Sequence, residues 1–148
     1  MPEEFAGRIS RKQLEHNGTY TDIPSYDVPL GERGLVHVYG RNDTSISQKL
    51  GIWWMVFDPD GQIVETYSDW QAFSTGPGGE HHFIGDRFNL NKQGTYTIDI
   101  MLFMNQDSPV MVDEYYGTLC TVAIEEFRGS IITKELEYDG ARGSIPVR

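Results

Sequence analysis

The chain has 148 residues, a single cysteine and a formal net charge of −10. This length is enough for one domain with its own core, and one cysteine excludes an internal disulfide framework. The acidic balance argues against a nucleic-acid partner, which needs a basic surface. No stretch approaches the roughly 20 apolar residues of a membrane span, and the acidic start, MPEEFAGRIS, is not a secretory signal.

The predicted elements are all β-strands, because period-two alternation recurs and no long stretch keeps helical spacing of apolar residues. In chain order the predicted strands are 8–15, 34–41, 49–58, 62–68, 81–90, 95–104 and 110–124, the last as one strand or two. Asn17-Gly18 and Asp58-Pro59-Asp60-Gly61 are predicted turns, and residues 24–31 an extended connector. Strands and turns at this spacing are typical of a sandwich or barrel.

A tryptophan-bearing strand, GIWWMVFDPDG, is followed some forty residues later by GTYTIDIML. This pair resembles strands C and F of an immunoglobulin-like or fibronectin-like sandwich. The strand LVHVYGRN and the PDG hairpin are most similar to the cell-adhesion-related (CARDB-like) domains of microbial surface proteins, over residues 34–122. The resemblance implies an antiparallel sandwich of about 7–9 strands, a spacer or adhesive role, and no catalytic residues.

Alternation assigns Tyr96, Ile98, Ile100, Leu102 and Met104 to the core, because the opposite face of that strand carries Asp99. The tryptophan strand is apolar on both faces. If it neighbours strand 95–104, the outer face of that sheet carries five apolar residues, namely Trp53, Met55, Phe57, Met101 and Phe103. An isolated module rarely exposes so much apolar surface to water. The loop bearing Trp70 and Phe73, the terminal segment or a protein partner is expected to cover it.

A carbohydrate-binding module is the alternative prediction. Aromatic rings stack on sugars, and the candidates for such a platform are Trp53, Trp70, Tyr115 and Tyr116. This alternative requires at least two of these rings to be exposed and coplanar.

The sequence predicts no catalytic residues, no cofactor and no firm metal site. It has no motif for a nucleophile, a phosphate loop or a dinucleotide, and Cys120 lies in an apolar strand. Asp58 and Asp60 are weak calcium candidates, since loop carboxylates can hold that ion. A weak hydrolase around Glu80, His81 and His82 is a third hypothesis, which requires a concave site.

The end of the chain repeats its beginning. Residues 127–146, FRGSIITKELEYDGARGSIP, align without a gap on residues 5–24, FAGRISRKQLEHNGTYTDIP, and nine of the twenty pairs are identical. Self-similarity at a fixed offset indicates a repeated structural unit. Residues 1–126 are therefore predicted to form the sandwich, and residues 127–148 to begin a further repeat or to act as an assembly strand. Ile131 and Leu136 are its interface candidates.

Together these features predict a non-enzymatic β-sandwich module of a surface, filament or virion protein. Its partners would be neighbouring copies of itself or adjacent repeats, with surface glycans in the alternative. An extracellular surface or a virion is the expected location.

Overall fold

The computed structural model describes residues 5–123 and two short strands at 136–137 and 143–144. Every regular element in this part of the chain is a β-strand. In chain order they are β1 (Gly7–His16), β2 (Thr19–Asp22), β3 (Ser25–Pro29), β4 (Arg33–Asn42), β5 (Leu50–Phe57), β6 (Ile63–Trp70), β7 (Glu80–Ile84), β8 (Phe88–Asn89), β9 (Gly94–Met104), β10 (Val110–Ala123), β11 (Leu136–Glu137) and β12 (Gly143–Ser144).

The strands form a sandwich of two five-stranded sheets. One, the β4 sheet, has the order β2-β1-β4-β7, with β8 also paired to β4. The other, the β9 sheet, has the order β3-β10-β9-β5-β6. All pairs in the two sheets are antiparallel except β3 with β10. The adjacency of β5 and β9 is the one expected for strands C and F of an immunoglobulin-like fold.

The core lies between the sheets and follows the predicted alternation. Tyr96, Ile98, Ile100, Leu102 and Met104 of β9 are all fully buried. On β5, Trp54 is fully buried with Ile52 and Val56 beside it, while Trp53, Met55 and Phe57 point away from the core. The prediction of the core face from period-two alternation is therefore confirmed.

The structure differs from the sequence prediction mainly in short edge elements. The predicted connector 24–31 contains β3, which pairs in parallel with β10 around Cys120. The predicted strand 81–90 is divided into β7 and β8, which pair with different parts of β4. The pairing of such short edge strands depends on the neighbouring strands in the folded chain. Neither β3 nor the break between β7 and β8 is marked by period-two alternation in the sequence.

Two positive backbone angles fix the β1–β2 turn. Asn17 has φ 50° and Gly18 has φ 80°, the geometry for which Asn-Gly is favoured in hairpins. The hairpin brings β2 against β1, with Leu14 opposite Thr21. This places Leu14 inward, fully buried, and Tyr20 on the outer side, 54% exposed.

Candidate binding faces

The outer face of the β9 sheet carries the five predicted apolar residues Trp53, Met55, Phe57, Met101 and Phe103, hereafter the apolar face. Trp53 lies opposite Met101, and Phe103 lies opposite Gly51 on the same strand pair. All five side chains are half-buried.

Trp70, at the end of β6, extends the apolar face. It lies opposite Gly51, and a Cβ at Gly51 would come within 2.6 Å of the indole ring. The ring therefore rests on the bare glycine backbone. Phe73, predicted to cover the same face, is 84% exposed. Trp70 therefore lies over Gly51 from the end of β6, whereas the loop residue Phe73 does not cover this face.

Trp53, Trp70 and Phe103 line a shallow cleft of about 230 Å³ together with Ile52, Ser68 and Pro109. The two indoles come from adjacent strands, and the proline comes from the loop after β9. A cleft lined by aromatic rings, with one hydroxyl at its edge, can hold an apolar side chain or the face of a sugar ring.

Two carboxyl groups interrupt this surface, Asp99 beside Met55 and Glu114 beside Met101. Asp99 lies opposite Met55 on β5 and Tyr116 on β10, and Glu114 is two residues from Tyr116 on the same strand. Burial of the carboxyl, followed by the hydrogen bond and the charge of Glu114, raises the pKa of Asp99 to about 6. Within the described residues, Oδ1 of Asp99 is buried without a hydrogen-bond partner. The pair therefore makes this part of the face sensitive to mildly acidic pH.

The structure separates the two tyrosines that were predicted together as sugar-stacking candidates. Tyr116 is 70% exposed on the outer face. Tyr115 packs against the core, donates its hydroxyl hydrogen to the Thr118 carbonyl over 2.8 Å, and carries the Lys12 ammonium 4.4 Å from its ring centre. Tyr115 is thus committed to internal contacts, whereas Trp53, Trp70 and Tyr116 belong to the outer surface.

The two calcium candidates, Asp58 and Asp60, both form ion pairs with Lys92. The Lys92 ammonium lies 2.9 Å from Oδ2 of Asp58 and 2.8 Å from Oδ2 of Asp60. The other oxygen of Asp58 accepts hydrogen bonds from the backbone of Asp60 and Gln62. These contacts lower the pKa of Asp58, with the Lys92 hydrogen bond as the largest cause. A calcium ion would have to displace the ammonium. No group of three or more potential metal ligands occurs within the described ranges.

The outer face of the β4 sheet holds a hydrogen-bonded chain that the sequence did not reveal. His37 is buried, and its Nε2 lies 2.9 Å from Oε1 of Glu15 while its Nδ1 lies 2.9 Å from Nε2 of His82. The His82 ring stacks on Tyr39 at 4.1 Å. Burial, then the neighbouring His37, lowers the pKa of His82. The His37 hydrogen bond lowers the pKa of Glu15.

The hydrogen bonds between Glu15, His37 and His82 join residues on β1, β4 and β7. These residues are distant in sequence, so only the order of the strands in the sheet brings them together. His81 and His82 point to opposite sides, as expected for adjacent strand residues: His81 contacts Gln71 and the edge of Phe83. A polar cleft of about 440 Å³ beside Glu15 is lined by Asn17, Gly18, Gly31, Glu32, Arg33 and Arg87 and contains no histidine. None of the three clefts described for residues 5–123 is lined by His81 or His82, the histidines of the hydrolase hypothesis.

Cys120 is fully buried, and burial raises the pKa of its thiol to about 12. A thiol so protected from water stays protonated and unreactive. Of the C-terminal interface candidates, Leu136 lies in β11 and Ile131 lies outside the described residues.

Comparison with solved structures identifies the fold class. The C-terminal domain of wzt matches with a TM-score of 0.59 and 12% identity, covering 81% of this chain and 75% of that one. A Bacteroides uniformis β-glucuronidase matches with a TM-score of 0.56 and 10% identity, over 76% of this chain and 14% of the enzyme. A CARDB domain from Pyrococcus furiosus matches at 0.47 and 13% identity, over 83% and 93%.

At these identities the similarity shows the fold alone. The chain is an immunoglobulin-like β-sandwich, as the sequence predicted. No protein-family model matches it, and a search of curated proteins found no match. Among the described residues there is no helix of the length and hydrophobicity that crossing a membrane requires.

Proposed function

We propose that this sandwich is a non-enzymatic structural or adhesive module that associates with further copies of itself through the apolar face. One observation carries the proposal: five large apolar side chains lie half-exposed across the centre of one sheet in a chain with a net charge of −10. Isolated soluble modules rarely present such a surface to water. A surface, filament or virion protein is the setting that we propose for it.

A second copy is the partner that the sequence favours. The chain carries a partial repeat of itself at residues 127–146, which supports the view that sandwiches of this kind occur as neighbours. The central position of the apolar face on its sheet suits the apolar centre and polar rim of a protein interface. Tyr116, Glu114 and Ser68 would contribute to that rim.

The test is the mass of the full chain in solution as a function of concentration, with and without Trp53→Ala. We expect the wild-type chain to associate and the substitution to weaken association at least about tenfold, as for other buried aromatic anchors. Phe73→Ala is the matched control, because it removes an aromatic ring that is 84% exposed and lies outside the cleft. Equal masses for wild type and Trp53→Ala at every concentration would overturn the proposal.

A carbohydrate is the second candidate partner, and the aromatic cleft favours it. Trp53 and Trp70 line that cleft together, and Tyr116 is exposed on the same sheet. Under this alternative, Trp53→Ala and Trp70→Ala both abolish retention in gels that contain a polysaccharide, and neither changes the mass of the protein. Retention unaffected by both substitutions excludes the cleft as a sugar site.

A further inference from the structure

We propose that residues 127–146 are a second β1–β2 hairpin, shaped to occupy the place of β1 and β2 in the β4 sheet of another copy of this chain. This inference rests on the proposed contact between sandwiches, but it involves the opposite sheet. The evidence is the position, in the structure, of each residue that the two segments share.

The shared residues are those through which β1 packs on the rest of the sandwich. Leu14, fully buried, corresponds to Leu136, and the buried Ile23 corresponds to Ile145. Phe5 and Ile9, both packed against the core, correspond to Phe127 and Ile131. The repeat therefore keeps every large apolar group that this hairpin contributes to the core.

The small and polar matches are as specific as the apolar ones. A Cβ at Gly7 would lie 2.7 Å from the carbonyl oxygen of Arg41 and 3.0 Å from the side chain of Met104, so that only glycine fits; Gly129 takes this position in the repeat. Gly18, at φ 80°, corresponds to Gly140. Both matches preserve backbone positions at which a side chain would clash or be strained.

Lys12 and Glu15 make contacts with two other strands. The Lys12 ammonium lies over the Tyr115 ring of β10, and Glu15 bonds the buried His37 of β4. Lys134 and Glu137 are their counterparts. A segment that merely resembled a β-hairpin would have no reason to keep groups that match Tyr115 and His37.

The positions that differ are mostly those that face solvent. Of the eleven changed positions, seven are exposed in the hairpin: Arg8, Ser10, Arg11, Asn17, Thr19, Tyr20 and Asp22. The repeat therefore preserves the docking side of the hairpin and varies its outer side. This is the pattern expected when a structural role is shared and the surroundings differ.

The two described strands of the repeat, β11 and β12, pair with each other. β11 and β12 occupy the sequence positions of Leu14–Glu15 and Thr21–Asp22, and they pair antiparallel. Leu136 lies opposite Ser144, one residue from the register of Leu14 with Thr21.

In the folded chain, β1 is paired on one side with β2 and on the other with β4. The second hairpin can therefore enter a β4 sheet only by replacing the hairpin already there. A chain's own hairpin has the advantage of being tethered, so exchange is favoured by high concentration or by a weakened β1. Such head-to-tail exchange builds an open filament or a ring of copies.

The first experiment replaces residues 5–24 of the full chain with the sequence of residues 127–146. We expect this chimera to fold, with a midpoint of thermal unfolding within about 5 °C of wild type, because the packing groups are unchanged. Adding Leu14→Ala to the chimera should lower the midpoint by a further 6 °C or more. An unfolded chimera, or one indifferent to Leu14→Ala, overturns the inference.

The second experiment tests the partner. In the full chain, Leu14→Ala weakens the native hairpin while leaving Leu136 intact, and we expect a larger mass than that of wild type at each concentration. Leu14→Ala with Leu136→Ala should return the mass to that of wild type under the same conditions. If Leu14→Ala does not fold, Ile9→Ala at a half-buried position is paired with Leu136→Ala instead. A folded single variant whose mass does not exceed that of wild type at any concentration overturns exchange between copies.

Each failure can be told apart from failure of the proposed function. The chimera tests a single chain and does not depend on the apolar face. Loss of association in Trp53→Ala, with an intact hairpin, reports on the apolar face alone.

Discussion

The indole nitrogen of Trp54 donates a hydrogen bond of 3.0 Å to Oε1 of Glu65, in the interior of the sandwich. The other oxygen, Oε2, accepts the backbone hydrogen of Asp86 over 2.8 Å. A carboxyl group is thus held at the edge of the core, where it ties β5 to β6 and to the segment between β7 and β8. Burial raises the pKa of Glu65, although both hydrogen bonds oppose that shift.

Because the pKa of Glu65 is raised on folding, its contribution to stability is present at low pH and is lost as the pH rises through its folded value. We expect Glu65→Gln, which cannot ionise, to become progressively more favourable relative to wild type between pH 4 and pH 8. Thermal unfolding of both proteins across that range measures the difference. Glu80→Gln, at an exposed position, is the control. Parallel pH profiles for wild type and Glu65→Gln would contradict this assignment.

We expect Asp99 to make the proposed association through the apolar face dependent on pH. Its pKa is raised to about 6, so the carboxyl is neutral in mildly acidic solution and charged at pH 7. We expect wild-type association to strengthen as the pH falls through 6, and Asp99→Asn to associate more strongly at pH 7 with little pH dependence. Light scattering at pH 5 and pH 7 measures this. Asp107→Asn, on an exposed loop, should behave as wild type.

The fit of Trp70 on Gly51 is tested by adding one methyl group. In Gly51→Ala the new Cβ would overlap the indole ring, so Trp70 must move outward into water. We expect a red shift of tryptophan fluorescence and a loss of roughly 1–3 kcal/mol, as for other overpacked sites. Gly76→Ala is the control, because nothing lies within 4 Å of a Cβ there. An unshifted spectrum would show that the ring does not rest on this glycine.

His37 links β1 to β7 through Glu15 and His82, and its removal leaves a carboxylate without its main partner. We expect His37→Ala to lower the free energy of unfolding by about 1–3 kcal/mol at pH 7. Since His37 lowers the pKa of Glu15, the stability contributed by Glu15 is present above its unfolded pKa and is lost as the pH falls. The substitution should therefore cost less at pH 3 than at pH 7.

His82→Ala serves as a milder comparison, because it removes the exposed end of the same chain and leaves the Glu15 contact in place. Denaturant unfolding of both variants at the two pH values provides the measurement. An equal cost of His37→Ala at both pH values would contradict the role assigned to Glu15.

Local alternation was sufficient to predict the sandwich and its core. Trp54 and Trp53 are adjacent in sequence, yet their opposite environments follow from period two and from the position of Asp99 on the neighbouring strand. The same rule places Tyr115 and Tyr116 on opposite faces, but it could not show which of them faces the core, because β10 has two register shifts against β9.

The remaining contacts join residues that are distant in sequence. Lys92 reaches Asp58 across 34 positions, and His37 reaches His82 across 45. No motif marks such pairs, since the strand order brings them together. By contrast, the repeat at residues 127–146 is evident from sequence, and two of the residues that it shares with residues 5–24, Leu14 and Ile23, are buried in the core.

The most direct test of this account is the solution mass of the full chain by light scattering over a wide concentration range, beside Trp53→Ala and a chain ending at Glu126. The account predicts that the wild-type mass rises with concentration, that Trp53→Ala weakens this rise, and that the shortened chain keeps only the association made by the apolar face. A wild-type chain that is folded and monomeric at every concentration would contradict the proposal that this module associates with further copies of itself.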